Sequence, residues 1–229
     1  MSIKNILFDL DDTIYDFGLA EKNALTRMLC DIGVEPTEEK VKLYSEINLS
    51  YWKRLEKGEI TREQVKVDRF RSYLQEIHVH FSAVKADEIY RGYLGQGHYF
   101  MEGAWEMLQD LQGKYRMFLV TNGTAETQKG RIASGGLERY FEKIFVSELI
   151  GFDKPSIHFF EYCFQQMGEF EKRETIIIGD SLSSDIQGGI NAGITTLWFN
   201  GRGAVNTTEI KPEYEVRRLG EIREILKKI

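Results

Sequence analysis

The sequence predicts an α/β protein: a Rossmann-like parallel sheet core wrapped by helices, interrupted by an inserted all-helical cap domain. Three features lead there. From Gly103 onward, apolar runs of strand length alternate with helical segments, the rhythm of right-handed β-α-β crossovers. Between Tyr15 and His98 the periodicity is helical throughout, with no convincing strand. The first apolar run, Ile3 to Phe8, ends in Asp9-Leu10-Asp11-Asp12-Thr13, placing acids at the carboxyl end of a strand buried on both faces.

Ile3 to Phe8 reads as a strand because a short apolar segment bounded by polar residues suits the centre of a parallel sheet. Ala20, Ala24, Leu25, Met28, Leu29 and Ile32 form the stripe of a first helix, stopped by Gly33. A second helix is expected from Thr37 to Lys57, closed by Gly58. Thr61 followed by Gln64 is a capping-box signature, opening a third helix through Phe70 and Leu74. Ser82 caps a fourth, carrying Val84, Ile89, Tyr90 and Tyr93 before Gly95 and Gly97 break it. The alternating half reads as helix 104–111, strand 115–120, a further helix, strand 144–146, helix 155–167, strand 175–178, helix 186–192, strand 195–199 and an amphipathic helix 219–229. The core is therefore expected in residues 1–14 and 99–229 and the cap in 15–98, with hinges at Tyr15-Asp16 and between Phe100 and Gly103.

A chain of 229 residues suits one core domain with an inserted module. No apolar run approaches the roughly 20 residues of a bilayer span, and the N-terminus carries no secretory signal pattern, so a cytoplasmic location without membrane contact is expected. The net charge of -6 argues against a nucleic-acid surface and leaves small anionic metabolites as partners if cations gather at one site. Cys30 and Cys163 sit in helical patterns as small apolar residues. His78, His80, His98 and His158 show no ligand spacing and are read as structural or surface residues; composition leaves the oligomeric state open.

Ligands of open parallel sheets bind outside the carboxyl ends of the strands, so the polar residues at those ends form one set. Asp9 and Asp11, two apart on an extended chain, project together, and their repulsion calls for a hard cation such as Mg2+ between them. The second strand ends in Thr121-Asn122-Gly123-Thr124, a hydroxyl and a turn of backbone N–H groups at a helix start, suited to an anion. Lys154 precedes Pro155, which fits a first helical position, and a cation there wants a carboxylate or anion opposite. The fourth strand opens into Gly179-Asp180-Ser181-Leu182-Ser183-Ser184-Asp185; Asp180 could complete a metal site with Asp9, and Asp185 could orient a metal-bound water or the lysine. Taken singly, each cluster is equally a helix cap or a turn. The order acid pair, Thr, Lys, acid on successive strand ends is what capping does not explain.

At this point the chain resembles the haloacid dehalogenase-like (HAD) phosphohydrolase superfamily with a C1-type cap, through DLDDT at Asp9 to Thr13, TNG at Thr121 to Gly123, KP at Lys154-Pro155 and GDSLSSD at Gly179 to Asp185. The resemblance implies a Mg2+-dependent phosphomonoesterase. Asp9 would be the nucleophile and Asp11 the general acid and base. Thr121 and Lys154 would hold the phosphoryl oxygens, and the metal would be held by Asp9, the backbone carbonyl of Asp11 and Asp180. It disfavours dehalogenation, which needs neither the metal nor the second acid. A sugar-phosphate phosphatase, a phosphomutase or a non-catalytic phosphate-binding module would share this core.

In the cap, Asn48, Trp52 and Leu55 fall near one helical face, followed by Gly58-Glu59-Ile60 and Arg69-Phe70. This arrangement, with Asp185 to Gly193, is similar to that of YjjG-type pyrimidine 5′-nucleotidases. It implies a nucleoside 5′-monophosphate as substrate, Asn48 and Trp52 as substrate-binding residues beside Asn122 and Gly123, and Trp52 or Phe70 as the face on which a nucleobase stacks.

Overall fold

In the computed structural model, strand β1 (Asn5–Phe8) lies inside a six-stranded sheet, between β2 (Arg116–Thr121) and β4 (Thr175–Gly179). β3 (Lys143–Val146) flanks β2, while β5 (Thr195–Phe199) and β6 (Tyr214–Val216) extend the other side, and every pairing is parallel. The structure describes residues 2–229; Met1, the first residue of the expected core segment 1–14, lies outside the described residues.

Alternation along the strands divides the core into two layers. Ile6 and Phe8 of β1 join Met117, Leu119, Ile176 and Ile178 on one face, under α5 (Ala104–Leu111) and α10 (Ile222–Leu226). Leu7 joins Phe118, Val120 and Ile177 on the other, against Phe159, Phe160, Cys163 and Phe164 of α8 (Ile157–Met167). Phe8 pairs with both Leu119 and Ile178, so the residues just beyond these strands emerge at one level. The chain order reverses direction at β1, which makes that level the switch point where ligands bind.

Helices α1 (Phe17–Asp31), α2 (Glu38–Glu56), α3 (Arg62–Glu76) and α4 (Ala83–Leu94) enclose a core of their own, built on Leu25, Met28, Tyr44, Phe70, Tyr73 and Tyr90. Each has a side-chain N-cap, from Asp16, Thr37, Thr61 and Ser82, and Thr61 with Gln64 closes a full capping box. The two chain crossings beneath them run side by side. Asp16 N donates to Tyr99 O at 2.8 Å, Met101 N donates to Ile14 O at 2.9 Å, and the Tyr15 and Phe100 rings meet edge to face at 5.0 Å. Among the described residues no helix is long and apolar enough to cross a membrane.

Four local outcomes differ from the sequence reading. Strand β6 was not foreseen: it has three residues, of which only Val216 is buried, too short for a period to register. Helix α8 begins at Ile157 rather than Pro155, because Ser156 Oγ accepts from His158 N and serves as the N-cap. The segment before α9 (Gln187–Ala192) is a wide turn of π-helix, Leu182–Ile186. The final helix is shorter than 219–229: a 3-10 turn at Leu219–Glu221, spanning the weak helix former Gly220, precedes α10.

Candidate active site

The strand ends converge on a cleft of about 380 Å³, the size of a small-molecule site, between the sheet edge and the helical module. Asp9, Thr121, Lys154 and Asp180 line it from the core, and Phe17, Glu21, Asn48, Leu49 and Trp52 from the helices above. Asp9 is placed by its own N–H, which continues the sheet ladder by donating to Ile178 O at 2.9 Å.

Lys154 is the pivot of the site. Its side chain is 1% exposed, and Nζ donates to Asp9 Oδ1 at 2.6 Å, to Asp185 Oδ1 at 2.7 Å and to Val120 O at 3.0 Å. All three ammonium hydrogens are thereby matched. Burial opposes the charge on Lys154, but Asp185 and Asp9 prevail and hold it above the ordinary lysine range. Asn122 braces this lysine from behind: its Oδ1 accepts from Lys154 N and its Nδ2 donates to Lys154 O, both at 2.9 Å.

One carboxylate oxygen each of Asp9, Asp180 and Asp185 lies within 4.8 Å of the others. Burial pushes Asp9 up to about 8 against the pull of Lys154, and burial followed by repulsion from Asp9 and Asp185 raises Asp180 well above its usual value. Trp198 Nε1 donates to the Asp180 carbonyl at 2.7 Å, fixing that turn, while no protein donor reaches the Asp180 carboxylate among the described residues. Two buried acids and a partly buried third, matched by one ammonium, leave an excess of negative charge. Oxygen donors so grouped fit a hard divalent cation. Gly179 is required beside them, since a Cβ there would lie 2.3 Å from the Asp185 carboxyl carbon.

Thr121 Oγ1 accepts from Gln128 Nε2 at 2.8 Å and from Gly123 N at 3.2 Å. With both lone pairs used, its proton is left to donate to a ligand oxygen. Asp11 stands apart from the three clustered acids: its carboxylate accepts from Gln128 Nε2 at 2.7 Å and is ion-paired with Arg131 Nη1. Asp12, at φ 57°, turns the chain toward α1; its Oδ1 accepts from Phe17 N and from Arg202 Nη2. Thr13 Oγ1 donates to Asp9 Oδ2 at 3.4 Å.

Above the sheet, Asn48 belongs to a chain of buried polar groups. Its Nδ2 donates to Glu21 Oε1 at 2.7 Å and its Oδ1 accepts from Arg69 Nη1 at 2.7 Å, with Asp87 and Arg91 continuing the chain. Trp52 lines the cleft, with the Arg62 guanidinium 5.6 Å from its ring centre. Phe70 does not reach the cleft; it is fully buried, with ring centres 5.0 Å from Tyr44 and 5.3 Å from Tyr90, so it packs the helical module. Arg62 spans from α3 to the core, donating to Asn122 O and Ser147 Oγ at 2.8 Å each and pairing with Asp153.

Sequence reasoning missed Gln128, Arg131 and Glu21. A signal existed for the first two. On α6 (Ala125–Ser134) Thr127, Gln128 and Arg131 are all buried and line the cleft, a polar face at helical spacing, while Ile132, its only large apolar residue, joins the core.

An acid pair, a hydroxyl, a lysine and a further acid pair thus meet at the carboxyl edge of a parallel sheet, roofed by helices. The chain belongs to the haloacid dehalogenase-like hydrolase family, whose model matches residues 6–199. It is 39% identical to the HAD-hydrolase YfnB of Bacillus subtilis, over 97% of this chain and 95% of that one. It is 37% identical to the pyrimidine 5′-nucleotidase PynA of Streptococcus pneumoniae (100% and 97% covered) and 31% identical to the pyrimidine 5′-nucleotidase YjjG of Escherichia coli (96% of each). The crystal structure of YfnB bound to magnesium superimposes with a TM-score of 0.94 at 38% identity, covering 99% of both chains. L-2-haloacid dehalogenase from Xanthobacter autotrophicus, 15% identical with a TM-score of 0.76 and 99% of each chain covered, shares the fold alone.

Proposed function

We propose that this phosphatase hydrolyses nucleoside 5′-monophosphates with Mg2+ through an aspartyl-phosphate formed on Asp9. The observation that carries the reading is the cluster of Asp9, Asp180 and Asp185, two of them paired with the buried Lys154, with Thr121 and Asp11 beside it. The names of PynA and YjjG support the substrate class.

In this reading the Asp9 carboxylate attacks phosphorus as the bond to the alcohol oxygen breaks, and the departing oxygen takes a proton from Asp11. Water then attacks the phosphorus of the aspartyl-phosphate and gives its proton back to Asp11. The bond to Asp9 breaks, so inorganic phosphate leaves and both acids return to their starting forms. Thr121 donates to a phosphoryl oxygen, and Lys154 offsets the charge that gathers beside Asp9. Asp9, Asp180 and the backbone carbonyl of Asp11 would hold Mg2+, with Asp185 orienting the lysine. The cation supplies charge neutralisation between an anionic nucleophile and an anionic ester. Residues 15–98 act as the cap that admits the substrate.

A panel of phosphorylated metabolites, scored for released phosphate with and without EDTA, tests this. Metal-dependent release from nucleoside monophosphates above other esters is expected; no release from any ester would end the proposal. Trp52→Ala should raise KM for nucleotides about 5- to 150-fold, the equivalent of about 1–3 kcal/mol of base stacking, while p-nitrophenyl phosphate is little affected. Equal effects on both substrates would remove Trp52 as the base platform.

Metal binding also has a signature without turnover. Ligand that binds only the folded state raises its stability, by about 2.7 kcal/mol at 100 times Kd. Mg2+ should therefore raise Tm in the wild type and not in Asp180→Asn. The acids themselves give the metal-free protein a pH slope. A carboxyl whose folded pKa is raised binds more protons when folded, so its contribution to stability falls as pH rises, here from about 4 toward about 8 for Asp9. In EDTA, Asp180→Asn should melt above the wild type at pH 8, and the gap should close toward pH 5.

A further inference from the structure

Arg131 has no role in the chemistry above, yet it touches both chain crossings and the side chain of Asp11. It is 0% exposed, on the inner face of α6. Its Nη1 pairs with Asp11 Oδ1 and donates to Gln128 Oε1 at 3.0 Å, while its Nε donates at 2.7 Å to the carbonyl of Gly97, on the returning crossing. The outgoing crossing touches it as well: the guanidinium carbon stands 5.3 Å from the Tyr15 ring centre and 5.9 Å from that of Phe17, and Tyr15 Oη donates to Arg131 O at 3.2 Å. Among the described residues its Nη2 is buried without a partner. One rigid, planar cation thus ties both crossings to the side chain of Asp11.

We infer that Arg131 is a positioning residue that couples the placement of the cap to the orientation of Asp11. The guanidinium is a fixed fork, so Nε and Nη1 cannot move independently. A rotation of the cap that displaces Gly97 O draws on Nε, and Nη1 carries the Asp11 carboxylate with it. The unmatched Nη2 makes the arrangement incomplete as it stands, since a buried donor without an acceptor favours any rearrangement that provides one. Asp11 would therefore be turned toward the leaving oxygen only when the cap sits where the fork permits. This inference rests on the reading of Asp11 as proton donor.

The test separates the two. p-Nitrophenolate departs without a proton, whereas an alkoxide needs one, so rapid-quench measurement of leaving-group release in the first turnover isolates the proton delivery. Asp11→Asn should lose about 10²- to 10⁴-fold with an alkyl phosphate and keep its first-turnover burst with p-nitrophenyl phosphate. Arg131→Met should show the same bias, and Arg131→Lys, which retains a cation but not the fork, a smaller one of about 10-fold. Should Arg131→Met fail to fold, Arg131→Lys decides. If Asp11→Asn shows no bias, the proton-donor reading falls and this inference with it. If Asp11→Asn is biased while the Arg131 variants slow both esters equally, or neither, the coupling through Arg131 is overturned and the role of Asp11 stands.

Discussion

Asp9→Asn should abolish turnover, by at least about 10⁴-fold, while leaving the protein folded and still able to bind Mg2+ weakly. The loss is large because an amide cannot form the covalent bond to phosphorus, while Asp185 is held by Lys154 and by Ser181 N, Asp11 by Gln128 and Arg131, and Asp180 would be taken up by the metal in the proposed reading. Folding survives because the exchange removes one negative charge from a cluster already in excess. Lys154 would keep its bonds to Asp185 Oδ1 and Val120 O. Steady-state phosphate release and a thermal melt, taken together, check both halves. Activity within 100-fold of the wild type would displace Asp9 as nucleophile.

Lys154→Met should act in the opposite sense on stability. It removes the one ammonium that matches Asp9 and Asp185 in a site where Lys154 and Asp185 side chains are each 1% exposed. Breaking a buried pair from one side leaves uncompensated charge, about 3–5 kcal/mol, or roughly 6–20 °C in Tm for a chain of this size. Activity should fall by about 10²- to 10³-fold through loss of charge stabilisation. Mg2+ should recover part of the stability, because a cation restores some of the missing positive charge, and little of the activity. A Lys154→Met protein that melts with the wild type in EDTA would show that the lysine does not hold this cluster together.

Much of this arrangement was legible in the residues themselves. The alternation of apolar runs and helical segments fixes a parallel sheet, and parallel order sends every strand's carboxyl end to one edge. Asp9, Thr121 and Asp180 are each the first charged or hydroxyl residue after an apolar strand, so their meeting in one cleft follows from connectivity, whereas Lys154 stands eight residues beyond the end of β3 and is brought there by the loop that follows that strand. The helical block was equally plain, since Thr61 with Gln64 and the caps at Thr37 and Ser82 are local chemistry.

What the sequence determined, then, was the set of groups that meet, because strand direction and local capping depend only on neighbours along the chain. Only the tertiary structure decided which partner each group takes. Asp11 and Asp9 share a strand end, yet Asp11 turns to Arg131 and Gln128 while Asp9 turns to Lys154, and those partners lie more than a hundred residues away. Phe70 and Trp52 are both aromatics of the helical block, but the packing of four helices buries the first and leaves the second on the cleft. Hydrogen bonds and packing are short-ranged in space and indifferent to separation along the chain, so no local pattern could assign them.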